Sequence, residues 1–185
     1  MEKMAIFVEG QTEQAFAEAL VYEVAGRHRV HIDKVHAFGG RVCTRTFLEV
    51  TASSRPDQGK HYYVIIYDSS NDSRVLSDIR DHYENLVAQG FWEIVAIRDV
   101  FPQTYATVPA VRAAFASLVP SAPVAVTLVL AILEIEAWFI GEHTHFPRIH
   151  AALSHQACDR HSWLRPRNAR RTTHPPPVRG LANGI

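Results

Sequence analysis

Cysteine is almost missing from this chain: only Cys43 and Cys158 occur among 185 residues. Two thiols cannot build a disulfide framework, so a buried core has to supply the stability, and a reducing cytoplasm is the default setting. Long apolar runs are missing too. None reaches the roughly 18 residues needed to span a bilayer. The longest, Val124 to Leu133, is interrupted by Thr127 and reads as a buried strand. Glu2 and Glu13 flank the first short apolar run, which is unlike a signal peptide. No membrane association is expected. Net charge is also absent, but the zero hides an asymmetry. Residues 1–147 carry 12 Lys and Arg against 18 Asp and Glu, whereas residues 148–185 carry seven Arg against the single Asp159. An acidic body with a basic tail suits nucleic-acid contact, and equally suits a poorly packed arginine-rich end.

Several catalytic signatures are lacking as well. There is no GxSxG serine elbow and no Cys/His pairing suited to nucleophilic catalysis. Gly39-Gly40-Arg41 could offer backbone amides to an anion but lacks the P-loop lysine and spacing. His155, Cys158, Asp159 and His161 are potential zinc ligands without the paired Cys-x-x-Cys signature, and ordinary surface residues account for them better.

What is present is alternation. With 47% hydrophobic and 21% charged residues, the chain is long enough for one globular domain with a real core. A strand over Met4–Val8 feeds a helix with Phe16, Ala19, Leu20 and Val24 at helical spacing, Thr12 as N-cap and Gly26 as the stop. A strand over Val30–Ala37 leads through Gly39-Gly40 to a helix carrying Val42, Thr46, Phe47 and Val50. The strongest strand signal, His61–Tyr67, ends in Asp68, and the next helix, over Ser73–Gln89, places Leu76, Ile79, Tyr83 and Leu86 on one face. Trp92–Ile97 is a strand ending in Arg98-Asp99. Val111, Ala114, Phe115 and Leu118 mark a helix between Pro109 and Pro120. Val124–Ile132 is the last strand and runs into a helix from Glu134 to Phe139, where Trp138-Phe139 reads as core. Alternating strands and helices predict an α/β domain, residues 1–164, with a central, mostly parallel sheet flanked by helices. Residues 165–185, rich in Arg and Pro, have no apolar periodicity. They read as a disordered arm, a partner-binding segment or an altered C-terminus.

Carboxylates recur where strands stop: Glu9, Asp68 and Asp99, with Glu134 and Glu136 after the fourth such strand. Parallel strands bring these ends to one edge, where clustered carboxylates repel unless a cation intervenes or some take up protons. Oxygen ligands favour Mg²⁺ or Mn²⁺, the ions of phosphoryl transfer and phosphodiester cleavage. Any one of these residues could equally be a cap or turn former; the coincidence carries the expectation. Asp72 reads first as a helix cap, Asp78, Asp81 and Glu84 as a solvated helix face, and Glu13 as a first-turn residue favoured by the helix dipole. Arg98 suits a phosphate or a structural ion pair.

Val8-Glu9-Gly10-Gln11-Thr12-Glu13, the later Asp68, and Ile132-Leu133-Glu134-Ile135-Glu136-Ala137-Trp138-Phe139 together resemble the DUF4276 family. That group is similar to Toprim domains, including the nuclease domains of OLD-type proteins, and the likeness spans about residues 4–145. The resemblance implies a Toprim-like, Rossmann-like three-layer fold. It implies Glu9 as general acid or base and Asp68 as first member of an Asp-x-Asp pair that holds Mg²⁺. Ser70 stands where the second aspartate belongs. Glu9, Asp72, Asp99, Glu134 and Glu136 are then the candidate additional metal ligands, and Arg41 and Arg98 the candidate contacts to a substrate backbone. The implied function is metal-dependent nucleic-acid cleavage or related phosphoryl transfer in defence against foreign DNA, with a partner ATPase. The rival expectation is a non-catalytic Toprim-fold subunit of such an ATPase; a nucleotide-binding or nucleotide-hydrolysing enzyme is a third.

Overall fold

Runs of β-branched and aromatic residues four to nine long build the centre of this protein. The computed structural model describes residues 1–39, 45–49, 59–71, 74–100, 104–132, 134–135, 148 and 150. In chain order the elements are β1 (Glu2–Val8), α1 (Gln11–Ala25), β2 (Val30–Phe38), β3 (Thr46–Glu49), β4 (Tyr62–Asp68), α2 (Val75–Ala88), β5 (Glu93–Asp99), a 3₁₀ turn (Tyr105–Thr107), α3 (Val108–Leu118) and β6 (Val126–Ala131). The six strands form one sheet in the order β3-β2-β4-β1-β5-β6. Every neighbouring pair is parallel except β2–β3. The α/β class and the mostly parallel sheet are those expected, and the order is compatible with a Rossmann-like fold.

Side chains alternate across the sheet, as the period of two requires. Ala5 and Phe7 of β1 face Val75, Ile79, Tyr83 and Leu86 of α2 and Phe115 of α3, all within one buried cluster. Ile6 and Val8 face the other way and pack with Ala17 of α1, Val64, Ile66 and Ile97. Helices therefore cover both faces, the arrangement that lets parallel strands be apolar on both sides. Residues 1–139 group as one compact unit and 140–185 as a second, of which only Arg148 and His150 are described, both exposed. Among the described residues no helix is long and apolar enough to cross a membrane.

Five local expectations need correction. Thr46–Glu49 is a strand, antiparallel to β2, where a helix was expected. Thr and Phe suit a pleated surface, and Phe47 pairs with Ala37 and sets its ring edge-on to Tyr67, 5.2 Å between centroids. Helix α1 starts from Gly10, not Thr12: Gly10 is extended and its carbonyl already accepts Gln14 N–H at 3.0 Å. The helix is also rotated away from its apolar stripe. Glu13, Gln14 and Ala17 are buried, whereas Ala19, Leu20 and Val24 are exposed. Gln14 sets this rotation, because its Nε2 donates to Val35 O (3.1 Å) and Ile66 O (3.0 Å), pinning α1 to β2 and β4. Similarly α3 buries Phe115 while Ala114 and Leu118 are exposed. Finally, β6 begins at Val126, because the Val124 backbone is taken by Tyr83: its amide donates to the phenol (3.1 Å) and its carbonyl accepts from it (2.7 Å).

Candidate functional site

The chain order of the strands decides where a ligand can sit. From β1 the chain goes through α1 to β2, on one side of β1; from β4 it goes through α2 to β5, on the other. β1 and β4 are neighbours, so the crevice beyond their carboxyl ends is the topological switch point, the place where open α/β sheets bind ligands. Val8 lies opposite Asp68 in the register. Glu9 and Asp68 therefore leave adjacent strands at this point, and both are buried.

Each carboxylate already has a protein partner. Arg98 Nε, from β5 on the far side of β1, donates to Glu9 Oε1 at 3.0 Å. His36, which lies opposite Asp68 in the β2–β4 register, donates from Nδ1 to Asp68 Oδ2 at 2.5 Å. The other oxygen, Oδ1, accepts the Ser70 amide at 2.7 Å. Along the edge the order is His36, Asp68, Glu9, Arg98: two carboxylates in the middle, flanked by the two groups that can carry positive charge. Glu13 is buried just behind, in the first turn of α1. A Cβ on Gly10 would lie 3.2 Å from its Oε2, so glycine leaves the room in which this carboxylate folds back.

The remaining candidates are placed less centrally. Asp99 is the last residue of β5, opposite Ala131 of β6. Glu134 follows β6 at the same edge but is exposed, three strands from β4. Among the described residues no group of three or more His, Cys, Asp or Glu side chains is arranged to hold a metal ion. Arg41, Asp72, Glu136, Trp138, Phe139, the His155/Cys158/His161 set and the 165–185 tail lie outside the described residues. An apolar cleft of about 490 Å³, lined by Leu20, Val24, Trp92 and Val95 among others, opens beneath α1 toward the amino ends of the strands, away from this chemistry.

Compared with protein-family models, curated proteins and solved structures, the chain shows no significant match. The site's own geometry has to carry its chemistry. Two parts of that geometry were not anticipated. His36 was overlooked because alternation in Val30-His31-Ile32-Asp33-Lys34-Val35-His36 does not show which residue opposes Asp68. Asp78, expected on a solvated helix face, is 1% exposed. Arg45 neutralises it, with Nε on Oδ1 at 2.8 Å and Nη2 on Oδ2 at 2.6 Å, and the same Nη2 holds Ser69 O at 2.7 Å. Asp81 and Glu84 are exposed as expected.

Tyr67, beside Asp68 in β4, is enclosed by Phe7, Phe47 and His82. Burial raises its phenol from the ordinary 10.0 to about 12. An unfolded tyrosine ionises first, so the unfolded state binds fewer protons in this window and stability falls as pH rises from 10.0 through about 12. The loss amounts to about 3 kcal/mol at roughly 1.4 kcal/mol per pH unit. Urea denaturation of wild type and Tyr67→Phe at a series of alkaline pH values isolates it. The wild-type curve should fall relative to that of Tyr67→Phe by this amount as pH rises; parallel curves would mean that the phenol is solvated.

Proposed function

We propose that this protein is a metal-dependent phosphoryl-transfer protein of the Toprim-like kind, cleaving nucleic-acid phosphodiesters, as the DUF4276 resemblance implies. One observation carries the reading: two buried carboxylates, Glu9 and Asp68, leave adjacent parallel strands at the switch point of the sheet. Their donor set fits Mg²⁺ or Mn²⁺, which commonly take one or two carboxylates and fill the other positions with water and substrate phosphate. Asp68 is the first ligand: each of its oxygens accepts one hydrogen bond and keeps a further lone pair. Glu9, steadied by Arg98, serves as general acid or base. Asp99 and Glu134, with Asp72 and Glu136, are the auxiliary acids. Bound there, the ion would neutralise the phosphate and stabilise the attacking and leaving oxygens. Arg41, Arg98 and the basic tail are the side chains suited to a nucleic-acid backbone. Foreign-DNA defence and a partner ATPase belong to the same proposal.

A specific observation favours the second reading, a non-catalytic partner subunit. Ser70 replaces an aspartate, the Glu9 charge is already matched by Arg98, and Asp68 already accepts a hydrogen bond from His36. Calorimetric titration with Mn²⁺, with thermal melts in parallel, separates the two. Wild type should bind the ion and gain about 2.7 kcal/mol at a hundredfold excess over Kd. Asp68→Asn should lose both effects. If wild type at millimolar Mn²⁺ shows neither heat nor a shift in melting, the second reading replaces the first.

A further inference from the structure

We propose that Ser70 is a covalent nucleophile, activated by His36 and Asp68, that takes up the phosphoryl group of a phosphodiester. The three side chains are joined in a line. Asp68, 0% exposed, accepts from His36 Nδ1 at 2.5 Å, and His36 Nε2 lies 3.2 Å from Ser70 Oγ. A carboxylate on one ring nitrogen fixes the proton there and leaves the other nitrogen's lone pair facing the hydroxyl, the relation of base and orienter in serine catalysis. The Ser70 hydroxyl also has Ala37 O within reach at 3.3 Å. Asp68 acts on Ser70 twice, because its second oxygen holds the Ser70 amide at 2.7 Å.

The backbone points the same way. Ser70 has φ +56, and among the described residues it is the one non-glycine residue in the left-handed region. Strain of this kind persists where the surroundings impose it, and functional sites are where it gathers. Here it falls on the turn between β4 and α2, at the carboxyl edge of the sheet, and it leaves the serine exposed. A nucleophile raised on a strained strand-to-helix turn is the serine-elbow arrangement. The flanking glycines of that motif are not present; Asp68 and Asp72 occupy those positions. That substitution hid the elbow from motif reading, and one of the two aspartates supplies the orienting carboxylate. His36 is further held by Phe38, whose ring meets it edge-on with centroids 4.9 Å apart. Arg45 fixes the preceding carbonyl, Ser69 O, from the other side.

In the reaction a lone pair of Ser70 Oγ forms a bond to phosphorus as the bond from phosphorus to the leaving oxygen breaks. The hydroxyl proton passes to His36 Nε2 and then to the leaving oxygen, releasing an alcohol. Water, deprotonated by the same nitrogen, then displaces Ser70 from the phosphoseryl ester and returns its proton. No oxidant or reductant enters. The choice of a phosphodiester rests on the metal-dependent reading above; the nucleophile itself rests on the Asp68–His36–Ser70 geometry.

A reporter-tagged fluorophosphonate tests the nucleophile without any metal. Its phosphorus carries no charge, and attack by an activated serine expels fluoride. The full chain should acquire one adduct, mapped by mass spectrometry to Ser70. Ser70→Gly, which suits the left-handed turn, should melt like wild type and take up no label. His36→Gln and the positioning variant Asp68→Asn should label about 100-fold more slowly. A folded wild type that stays unlabelled, an adduct on another residue, or an unchanged rate in His36→Gln would each overturn the proposal. The Mn²⁺ titration fails independently. Labelling without metal binding removes the phosphodiester assignment and keeps the nucleophile, whereas metal binding without labelling removes Ser70 and keeps the metal site.

Discussion

Arg45→Ala is expected to lower the unfolding free energy by about 3–5 kcal/mol, the cost of leaving a buried charge without its partner. Asp78 sits inside α2 with its side chain only 2% exposed, and Arg45 satisfies both of its oxygens in a two-point fork. The guanidinium also lies 5.5 Å from the Phe47 ring centroid, so the residue joins β3 to α2 through charge and packing together. Its hydrogen bond to Asp78 raises the Arg45 pKa against the opposing effect of burial, so Arg45 stays charged throughout the range in which the fold exists. The double variant Arg45→Met/Asp78→Leu removes both charges and keeps the volume, and should recover most of the loss. Urea denaturation of wild type, single and double variants measures this directly. A single-variant loss under about 1 kcal/mol would mean that the pair behaves like a surface ion pair. Because Arg45 also grips Ser69 O, the single variant should loosen the Ser70 turn as well.

The second large effect belongs to Phe7. This ring is 0% exposed and stacks on Tyr67 with centroids 4.4 Å apart and planes 5° from parallel. Phe7→Ala empties the sheet centre on the α2 face, and such truncations cost about 3–5 kcal/mol. Phe7→Leu keeps most of the volume and should cost less than about 1.5 kcal/mol. The two rings lie opposite each other in the β1–β4 register, immediately before the strand ends that carry Glu9 and Asp68. Opening the stack should therefore also let the Tyr67 phenol fall from about 12 toward its ordinary value, read by ultraviolet absorbance titration. If Phe7→Ala melts like wild type, the β1–β4 seam is not where this core is held together.

Periodicity made part of the architecture readable in advance. The apolar runs of β1 and β4 and the single-sided pattern of α2 depend only on near neighbours, and they stand where expected. Glu9 and Asp68 were readable as strand-end carboxylates for the same reason. The errors share one cause, a partner distant in sequence. The 46–49 segment became a strand because Phe47 has Ala37 beside it and Tyr67 beneath it. Asp78 became buried because Arg45 arrives from 33 residues away. α1 turned away from its apolar stripe because the carbonyls of Val35 and Ile66 were there for Gln14.

The sequence by itself determined most of the strands and helices, the α/β class, and which acids end the strands, because local periodicity and turn chemistry carry that information. Only the tertiary structure decided that β4 inserts between β2 and β1. That insertion sets His36 opposite Asp68 on one side and Val8 opposite it on the other. Strand order is a property of how helices pack across a whole sheet, and no stretch of residues encodes it alone. From it follow the switch-point position of Glu9 and Asp68, and the line from Asp68 through His36 to Ser70.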